Sequence, residues 1–468
     1  MMLIFISTSG FAQRFAQYNT GTLFDSFENP SQGAFIPDSS RNIAFNFLVP
    51  NFNVNAYLQG NAQTTLKNRL FLGAYNNAAI TVGQNQFNNA QANVNVYLGM
   101  LKMFTSLSGK QEVGVSYQIK ANGRGHISDE TVAIFNGLDE FNPNTLYNGI
   151  FNNNAFYESY HQFSTTYREK ITQNFSFGVK LSLLSGIAYN NININQSSLG
   201  NVNEAANTAS WMLGGIYQST YTQGEFRKRD LLPNFKSPGL AISIGATVIA
   251  PAGIIVQGNL KDLGFIHWGG KNANTYNFNG TTLLDARNSS SREERISDAL
   301  TSLIEKSPVQ GSFTKPIVGR AELSAGKKFQ FGPVTYLPTA IVSAQVYGAG
   351  TAAALVNNVQ FGGFETTLSG IYNEDKLFDL GLQLMYKTPN VEFFVGSEQL
   401  TRSLNLYKAN NDNIDAINKP MSHSGASVYL GFSFKIGRLI ERWKNDSYYP
   451  NGNEQGPLGR AWNNAFNK

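Results

Sequence analysis

The chain has 468 residues, a net charge of +5, no cysteine, 14% charged residues and 13% aromatic residues. The missing cysteine excludes disulfides, thiol nucleophiles, cysteine-ligated metals and lipid anchors on cysteine. The charged fraction is far below the roughly 25% of soluble proteins, and the basic residues are dispersed, so the sequence does not indicate nucleic-acid binding.

The N-terminus predicts export. Residues 1–12 form a short apolar run in which Gly10 and Ala12 fit signal-peptidase cleavage before Gln13, so we interpret the run as the remnant of a signal peptide. The alternative is a merely apolar N-terminus. Residues 13–40 are polar, and we expect them to lie in the periplasm or to enter a lumen. No later stretch has 18 consecutive apolar residues, so no spanning helix is predicted.

Residues 174–187 show the pattern that decides the fold. Apolar Phe175, Val179 and Leu181 alternate with small or polar residues such as Gly178 and Lys180. On a strand, alternate side chains point to opposite faces. The alternation continues for about ten residues, the length a tilted strand needs to cross a bilayer. It therefore predicts a membrane strand with one lipid-facing side and one polar side.

The same alternation recurs from about residue 41 to residue 437. We predict an all-β fold, a transmembrane antiparallel β-barrel of about fourteen strands with both termini in the periplasm and aromatic girdles at the membrane interfaces. Residues 438–468 are predicted to form a polar periplasmic tail. A soluble β protein is the alternative, but it would not need connections that alternate between short and long. Long loops are expected over residues 61–90, 123–154, 188–237 and 269–315.

One of these loops is predicted to contain a helix. Ser291 and Glu294 have the spacing of a capping box, and Ile296, Leu300 and Leu303 would then share one helix face. The helix could cover the barrel mouth, or it could bind a partner or act as a gate.

The string Asn259–Trp268 carries a resemblance. Its Asp-Leu-Gly-Phe-Ile-x-Trp pattern, which includes Asp262, Leu263, Gly264 and Trp268, resembles a family of Bacteroidota outer-membrane barrels of unknown function. Residues 276–280 and 397–400 support the likeness. That family more distantly resembles the long-chain fatty-acid transporter barrels. The resemblance implies a barrel and assigns no chemistry to these residues.

The sequence gives no reason to expect an enzyme, a metal site or a cofactor. The four histidines, His126, His161, His267 and His423, lie at no metal-ligand spacing from one another. His161 lies three residues before Ser164, and positions three apart on a strand face opposite sides, so this pair cannot form a catalytic dyad. The basic run 227–229 could contact lipopolysaccharide phosphates or could be a solvated loop.

Charged residues of both signs fall on the predicted inner face. They could satisfy one another or form a polar pathway. Bulky Tyr97, Tyr160, Phe394 and Tyr429 share that face, which favours a lumen that is occluded at rest. The lumen-facing candidates are Glu112, Lys120, Glu158, Lys180, Lys261, Arg320, Glu322, Glu365, Asp379, Glu392 and Lys435.

The predicted function is gated passive transport of a small hydrophobic or amphipathic solute across the outer membrane. An accessory or structural barrel of a secretion or assembly complex is the alternative. A transporter should have a continuous lumen or an opening in its wall near a bulge such as Pro50. An accessory barrel should have a plugged lumen and an apolar patch. The expected partners are outer-membrane lipid and lipopolysaccharide. A small hydrophobic solute, or the proteins of a secretion or assembly complex, could be further partners.

Overall fold

A computed structural model describes most of the chain. It covers residues 15–31, 41–47, 49–106, 109–221, 231–270, 273–287, 291–347, 350–411, 414–419, 421–437 and 456–466. The predicted signal-peptide remnant and the basic run 227–229 lie outside the described residues. In the described part of the chain, no helix is both long and apolar enough to cross a membrane.

Twenty-one strand segments are hydrogen-bonded into one sheet. They are β1 Ile43–Phe45, β2 Asn51–Gln59, β3 Phe87–Phe104, β4 Gln111–Ser128, β5 Tyr147–Asn148, β6 Asn154–Lys170, β7 Phe175–Asn203, β8 Thr208–Ser219, β9 Pro238–Ala250, β10 Ile254–Trp268, β11 Asn274–Asp285, β12 Val309–Gln310, β13 Phe313–Pro316, β14 Arg320–Lys327, β15 Phe329–Phe331, β16 Val334–Gln345, β17 Thr351–Phe361, β18 Phe364–Asn373, β19 Phe378–Lys387, β20 Val391–Ser397 and β21 Ser424–Ile436. The helices are α1 Leu23–Glu28, α2 Ala62–Leu72, α3 Asp129–Ala133, α4 Arg292–Ile304, α5 Leu400–Ala409, α6 Ile414–Asn418 and α7 Pro457–Phe466.

The sheet closes on itself. The first wall strand is β1 with β2, interrupted near Pro50 as predicted, and it pairs with β3 on one side and β21 on the other. Segments β13, β14 and β15 together form another wall strand, because they pair in turn with β10 and β16. Segments β5, β8, β11 and β12 pair outside the wall, where β7 pairs directly with β9. Without these four, the described residues form a closed antiparallel barrel of fourteen wall strands, which confirms the predicted fold class.

The two ends of the barrel differ. At one end the strands are joined by short turns such as 171–174, 251–253 and 362–363. The wall's first strand begins at this end, and its last strand ends there. At the other end, connections of up to about fifty residues join the wall strands, and helices α2 to α6 lie in connections at this end. This asymmetry is the pattern of short periplasmic turns and long extracellular loops. We therefore call them the short-turn end and the loop end.

The alternation in the sequence corresponds to the two faces of the wall. On β7, Leu181 is 58% exposed on the outside, while its neighbour Lys180 is 3% exposed and faces the lumen. Exposed aromatic side chains collect where wall strands meet the short turns, among them Phe331, Phe361 and Phe364. Aromatic residues at that level form the interfacial girdle of membrane barrels.

All four predicted long loops overlap strands: 61–90 includes the start of β3, and 123–154 includes the end of β4 and all of β5. The other two are wrong over much of their length. The stretch 188–237 holds the second half of β7 and all of β8, and 269–315 holds β11 and β12. Strand β8 pairs with both β7 and β11, so these strands form a sheet beyond the loop end of the wall. Asparagine-rich sequences concealed the second half of β7 and β11, because asparagine is depleted in ordinary strands.

An apolar cluster fills the space under this outer sheet. Phe151, Leu199, Trp211 and Leu213 pack there with helix α4. The predicted α4 is present at Arg292–Ile304 and buries Ile296 and Leu303, but the side chain of Ser291 makes no capping hydrogen bond. The capping-box interpretation is therefore wrong, although the apolar periodicity located the helix correctly.

Candidate functional site: the lumen segment and the adjoining bulge

Residues 15–31, which we call the lumen segment, lie inside the barrel and almost all are buried. A short 3-10 turn, Phe15–Gln17, leads through a bend to α1. The Thr22 hydroxyl accepts a hydrogen bond of 3.1 Å from the backbone N–H of Asp25, which satisfies a free amide at the start of α1. A part of the chain outside every wall strand thus occupies the lumen.

Aromatic side chains seat this segment. Phe24 packs edge-on against Tyr97 with ring centroids 5.5 Å apart, and Phe27 belongs to the same cluster. In another sector, Phe15 and Tyr18 pack against apolar residues of β16, β17 and β18. The expectation of a polar lumen is therefore wrong in these sectors, where inward alanine, valine and isoleucine side chains meet the segment's rings. Full burial of a Phe side chain contributes about 1.5–3 kcal/mol.

Polar contacts tie the segment to the wall around its circumference. The backbone N–H of Leu23 donates to Glu392 at 2.7 Å, and the ammonium of Lys387 donates to the carbonyl of Thr20 at 2.6 Å. On the other side, the hydroxyls of Ser31 and Thr247 lie 2.7 Å apart. These contacts reach β9, β19 and β20, so the segment is held from several sides of the lumen.

All eleven predicted lumen residues lie on the inner face of the wall, and most are in ion pairs or hydrogen bonds there. The pairs and their distances are Glu112–Arg168 at 3.0 Å, Lys261–Glu322 at 2.6 Å, Glu392–Lys435 at 3.0 Å, Lys180–Asp262 at 3.8 Å, Asp379–His423 at 3.0 Å and Lys120–Asp262. Glu158 accepts hydrogen bonds from Asn122 and from the backbone of Val318. Arg320 lines a small cavity of about 30 Å³ with Glu28 and Lys120, and Glu365 is buried on β18.

A β-bulge in β10 organises part of this network. Leu260 pairs with Ile244 and Leu263 with Ile242, so Lys261 and Asp262 stand opposite the single residue Ser243. Asp262 has φ of 51°, a left-handed conformation that aspartate tolerates better than most residues. Because a bulge inserts one extra residue, Lys261 and Asp262 both turn inward. The Asp262 carboxylate then accepts a hydrogen bond of 2.9 Å from Gln162.

The next residue, Leu263, lines a depression on the outer side of the wall. This wall depression has a volume of about 1140 Å³, and its sides are apolar residues including Val115, Leu181, Leu240 and Phe265. Its floor is a row of small residues directly paired across five strands. The row is Ser116, Ser164, Ser182, Ala241 and Gly264. The bulge thus joins the charged lumen network and an apolar outer surface through two consecutive residues, Asp262 and Leu263.

The other motif residues pack the wall beyond the bulge. A Cβ added to Gly264 would lie 2.2 Å from the carbonyl oxygen of Leu240, so only glycine fits this close approach. Trp268 is buried on the inner face with Tyr160, Tyr189 and Ile266. The sequence singled out this string, but its pattern alone could not show that a bulge lies within it.

Two carboxylates of the lumen segment titrate differently. Burial raises the pKa of Asp25 to about 6, although Asn29 and the backbone of Gly21 donate hydrogen bonds to it. Burial would also raise the pKa of Glu28, but the charges of Lys120, Lys261 and Lys180 outweigh burial and lower it to about 2. The segment therefore presents one carboxyl that resists ionisation and one that stays ionised.

Toward the loop end, a second cavity lies above the lumen segment. It has a volume of about 190 Å³ and combines the aromatic Phe156, Tyr189 and Tyr347 with the basic Arg124 and Lys315. It shares Asn122 and Val318 with the small cavity beside Glu28. The two cavities are therefore neighbours inside the barrel, and the smaller one adjoins the lumen segment at Glu28.

The histidines are dispersed. His161 lies 3.1 Å from the hydroxyl of Tyr117, while the hydroxyl of Ser164 contacts that of Ser182 at 2.9 Å. His161 and Ser164 thus each have another partner and do not contact each other as a dyad would. Among the described residues, no three His, Asp or Glu side chains are grouped so that they could hold a metal ion.

The strand pairings and the lumen segment define a closed β-barrel of the membrane-spanning kind, with an apolar outer face and a filled interior. The chain belongs to the Family of unknown function (DUF5723), whose model matches residues 34–398. No curated protein sequence matches the chain.

Several solved barrels resemble the structure. The Pseudomonas putida toluene transporter TodX has a TM-score of 0.43 at 9% identity, with 92% of this chain and 96% of that chain covered. A Pseudomonas aeruginosa FadL homologue has a TM-score of 0.42 at 11% identity, with the same coverages. The Ralstonia pickettii toluene transporter TbuX has a TM-score of 0.38 at 8% identity, covering 87% and 92%. Likenesses at this level do not assign a function.

Proposed function

We propose that this protein is an outer-membrane barrel that passively transports a small hydrophobic or amphipathic solute, with residues 15–31 as its gate. The apolar outer face, the even strand number and the aromatic residues near the short turns support placement in the outer membrane. Lipid and lipopolysaccharide would surround such a barrel. The proposal requires no bond-breaking chemistry.

One observation carries the proposal. A separate stretch of chain occupies the lumen, beside wall side chains that pair across it such as Lys120 with Asp262. Many of the contacts that hold this stretch are hydrogen bonds between neutral groups, such as Ser31 with Thr247 and Asn19 with Thr339. A net hydrogen bond of this kind contributes only about 0.5–1.5 kcal/mol. Such a seat can be released in part without unfolding the wall.

The solute class follows from the surfaces beside the gate. The cavity above the lumen segment offers aromatic faces next to Arg124 and Lys315, which suits a solute with an apolar body and a polar end. The wall depression is apolar and begins at the bulge, one residue from the lumen network. Both surfaces favour hydrophobic or amphipathic molecules over sugars or free ions.

Planar-bilayer recording tests the gate. We expect the intact protein to show little steady conductance and a variant lacking residues 15–31 to show large, steady conductance. A variant lacking residues 456–466 is the matched control, because α7 lies outside the lumen and its loss should leave conductance low. Large conductance from the intact protein would refute the gate.

Vesicle uptake then tests the solute. We expect the variant without the lumen segment to admit a fluorescent aromatic hydrocarbon faster than the intact protein does. Equal uptake by the two proteins, together with a conductance that depends on the segment, would show a gate for ions and refute hydrophobic transport.

An accessory barrel is the second candidate, and one observation favours it. The helices at the loop end expose large apolar side chains, Leu70 on α2, Leu404 and Tyr407 on α5 and Ile414 on α6. Exposed apolar groups in one region can mark a protein-binding surface. Purification in mild detergent would discriminate. A partner lost on replacing Leu404 and Tyr407 with serine, combined with no uptake by any variant, would favour the accessory function.

A further inference from the structure

Strand β6 carries a carboxylate on the outer face of the wall. Glu169 pairs with Phe177 and lies next to Arg168, whose side chain is inside the barrel against Glu112. Because alternate residues face opposite sides, Glu169 points away from the lumen. It stands at the short-turn end, one residue before the end of β6. An acidic side chain on a lipid-facing surface is costly unless it is satisfied.

Helix α7 supplies hydrogen-bond donors to this carboxylate. The two carboxylate oxygens of Glu169 accept hydrogen bonds of 3.1 Å each from the backbone N–H groups of Leu458 and Gly459, at the start of the helix. The hydroxyl of Tyr167 donates a third bond at 2.8 Å. The positive end of a helix dipole stabilises a carboxylate at this position. Glu169 is 2% exposed as a result and fixes the start of α7 to the outside of the wall.

The rest of α7 lies along the girdle level. The ring of Trp462 packs on Phe175, the first residue of β7, with centroids 5.1 Å apart. Phe175 stands at the same end as the exposed girdle residues Phe361 and Phe364. Tryptophan is enriched at this level of membrane proteins, because its ring is apolar and its N–H is polar.

Helix α7 is amphipathic, and the wall covers only part of its apolar face. With 3.6 residues per turn, Leu458, Ala461, Trp462 and Ala465 fall within an arc of roughly 100°, while Arg460 and Asn464 fall on the other side. Leu458 and Trp462 are half-buried against the wall, but Ala461 and Ala465 are exposed. The apolar arc therefore continues past the wall contact into space that no described protein atom fills.

We propose that α7 is an interfacial helix that rests on the phospholipid surface of the periplasmic leaflet, with Glu169 as the residue that positions it. The inference rests on the proposed placement of the barrel in the outer membrane. The occupant is lipid because the uncovered arc continues the apolar outer face of the wall at the girdle level. Arg460, on the polar side, is placed to approach lipid phosphates, as basic residues of interfacial helices do.

Site-directed spin labelling tests this in the full chain, because the sequence has no cysteine and a single introduced cysteine is labelled alone. The test positions are the neighbours Ala465→Cys and Asn464→Cys, in protein reconstituted into phospholipid vesicles. We expect the label at 465 to be reached more by oxygen, which concentrates in lipid, and the label at 464 more by a water-soluble nickel chelate. Equal, water-like exposure of both labels would overturn the proposal.

Two reference labels separate this result from the proposed function. A label at Leu355→Cys, on the outer face of β17, should be shielded from nickel, and one at Ala78→Cys, in a loop-end connection, should be fully exposed. If the label at 355 is water-exposed, the membrane placement itself fails. If it is shielded while both α7 labels are water-exposed, only the inference about α7 fails.

The positioning role of Glu169 has its own measurement. In Glu169→Gln, we expect the label at 465 to become more mobile and lose its oxygen preference, because the neutral amide interacts more weakly with the helix start. The matched control Glu204→Gln changes an exposed residue at the loop end and should leave the spectrum unchanged. If Glu169→Gln does not fold, Tyr167→Phe removes the supporting hydrogen bond alone and should loosen the label partly. An unchanged spectrum in the folded variant would refute the role.

Discussion

The hydroxyl of Tyr97, on wall strand β3, donates a hydrogen bond of 2.7 Å to the carboxylate of Glu28, at the end of the helix inside the lumen. Asn95 approaches the same oxygen at 3.4 Å. The opposite side of Glu28 faces the cavity that Lys120, Lys261 and Arg320 line. One carboxylate thus connects the lumen segment to the charged wall residues around this cavity.

We therefore expect Glu28→Gln to weaken the seat of the lumen segment. The amide keeps the size and can still accept a bond from Tyr97, but it loses attraction to the nearby lysines. Brief conductance steps in planar bilayers should become more frequent than in the intact protein. Glu204→Gln, which is exposed and remote, is the matched control. Identical step frequencies in both variants would contradict the electrostatic seat.

How firmly the lumen segment is held should also depend on pH, because Asp25 and Glu28 have shifted pKa values. The pKa of Asp25 is raised by burial from 3.8 to about 6, so its favourable neutral form is lost as pH rises through 6. Burial opposes ionisation of Glu28 too, but the lysines lower its pKa from 4.5 to about 2, so its contribution is lost as pH falls below 4.5. The segment should therefore be held best near pH 4, between the ordinary pKa values of 3.8 and 4.5, and should loosen as pH rises from there to about 6.

Conductance recorded from pH 4 to pH 8 checks this, with the change expected below about pH 6. Steps should become more frequent as pH rises in the intact protein, and Asp25→Asn should flatten that dependence, because asparagine does not ionise. Retention of the full pH dependence in Asp25→Asn would assign it to another group.

Gly264→Ala should destabilise the wall, because the added Cβ would lie 2.2 Å from a backbone oxygen that cannot move alone. Overpacking of this kind costs about 1–3 kcal/mol. Gly258, also on β10, has no atom within 4 Å of the equivalent Cβ, so Gly258→Ala is the matched control and should be nearly neutral. Urea unfolding in vesicles measures both. Equal urea midpoints for the two variants would contradict the close approach of Gly264 to the carbonyl oxygen of Leu240.

Leu355→Arg should lower the free energy of unfolding by about 2–4 kcal/mol if its side chain faces lipid near the bilayer midplane. Leu146→Arg is the control, since Leu146 is 64% exposed and Leu355 is 53% exposed. Leu146 lies in a loop-end connection, where an arginine stays in water. The same unfolding measurement should show little change for it, and a similar loss in both variants would place the membrane elsewhere.

The wall was predictable because its signal is physical and repeated. A lipid face and a lumen face impose a two-residue period on every wall strand, and Leu181 beside Lys180 shows it directly. The inner-face charges could be read from the same period. The sheet beyond the loop end was missed although β11 alternates buried Tyr276 and Phe278 with exposed asparagines, because asparagine is typical of loops.

The connections within the site were harder to predict. Nothing in the sequence near Asp262 shows that Lys261 and Asp262 turn inward together, since a bulge breaks the period that would reveal it. The apolar sectors of the lumen were missed for another reason. Residues such as Val356 are buried by Phe15 and Tyr18, which lie more than 300 positions away.

These separations bear on how the molecule assembles. The amide of Phe15 donates to Glu398 across 383 positions, and the first wall strand pairs with β21 at the other end of the chain. Neighbouring hairpins close short loops, whereas contacts between distant positions form slowly because they order a long stretch of chain. The lumen segment is translated before the wall strands but can reach its complete seat only when β20 and β21 are in place. Until then, Phe15, Tyr18 and Phe24 lack their final partners and two strand edges stay open, so the unfinished barrel is the state most in need of chaperones.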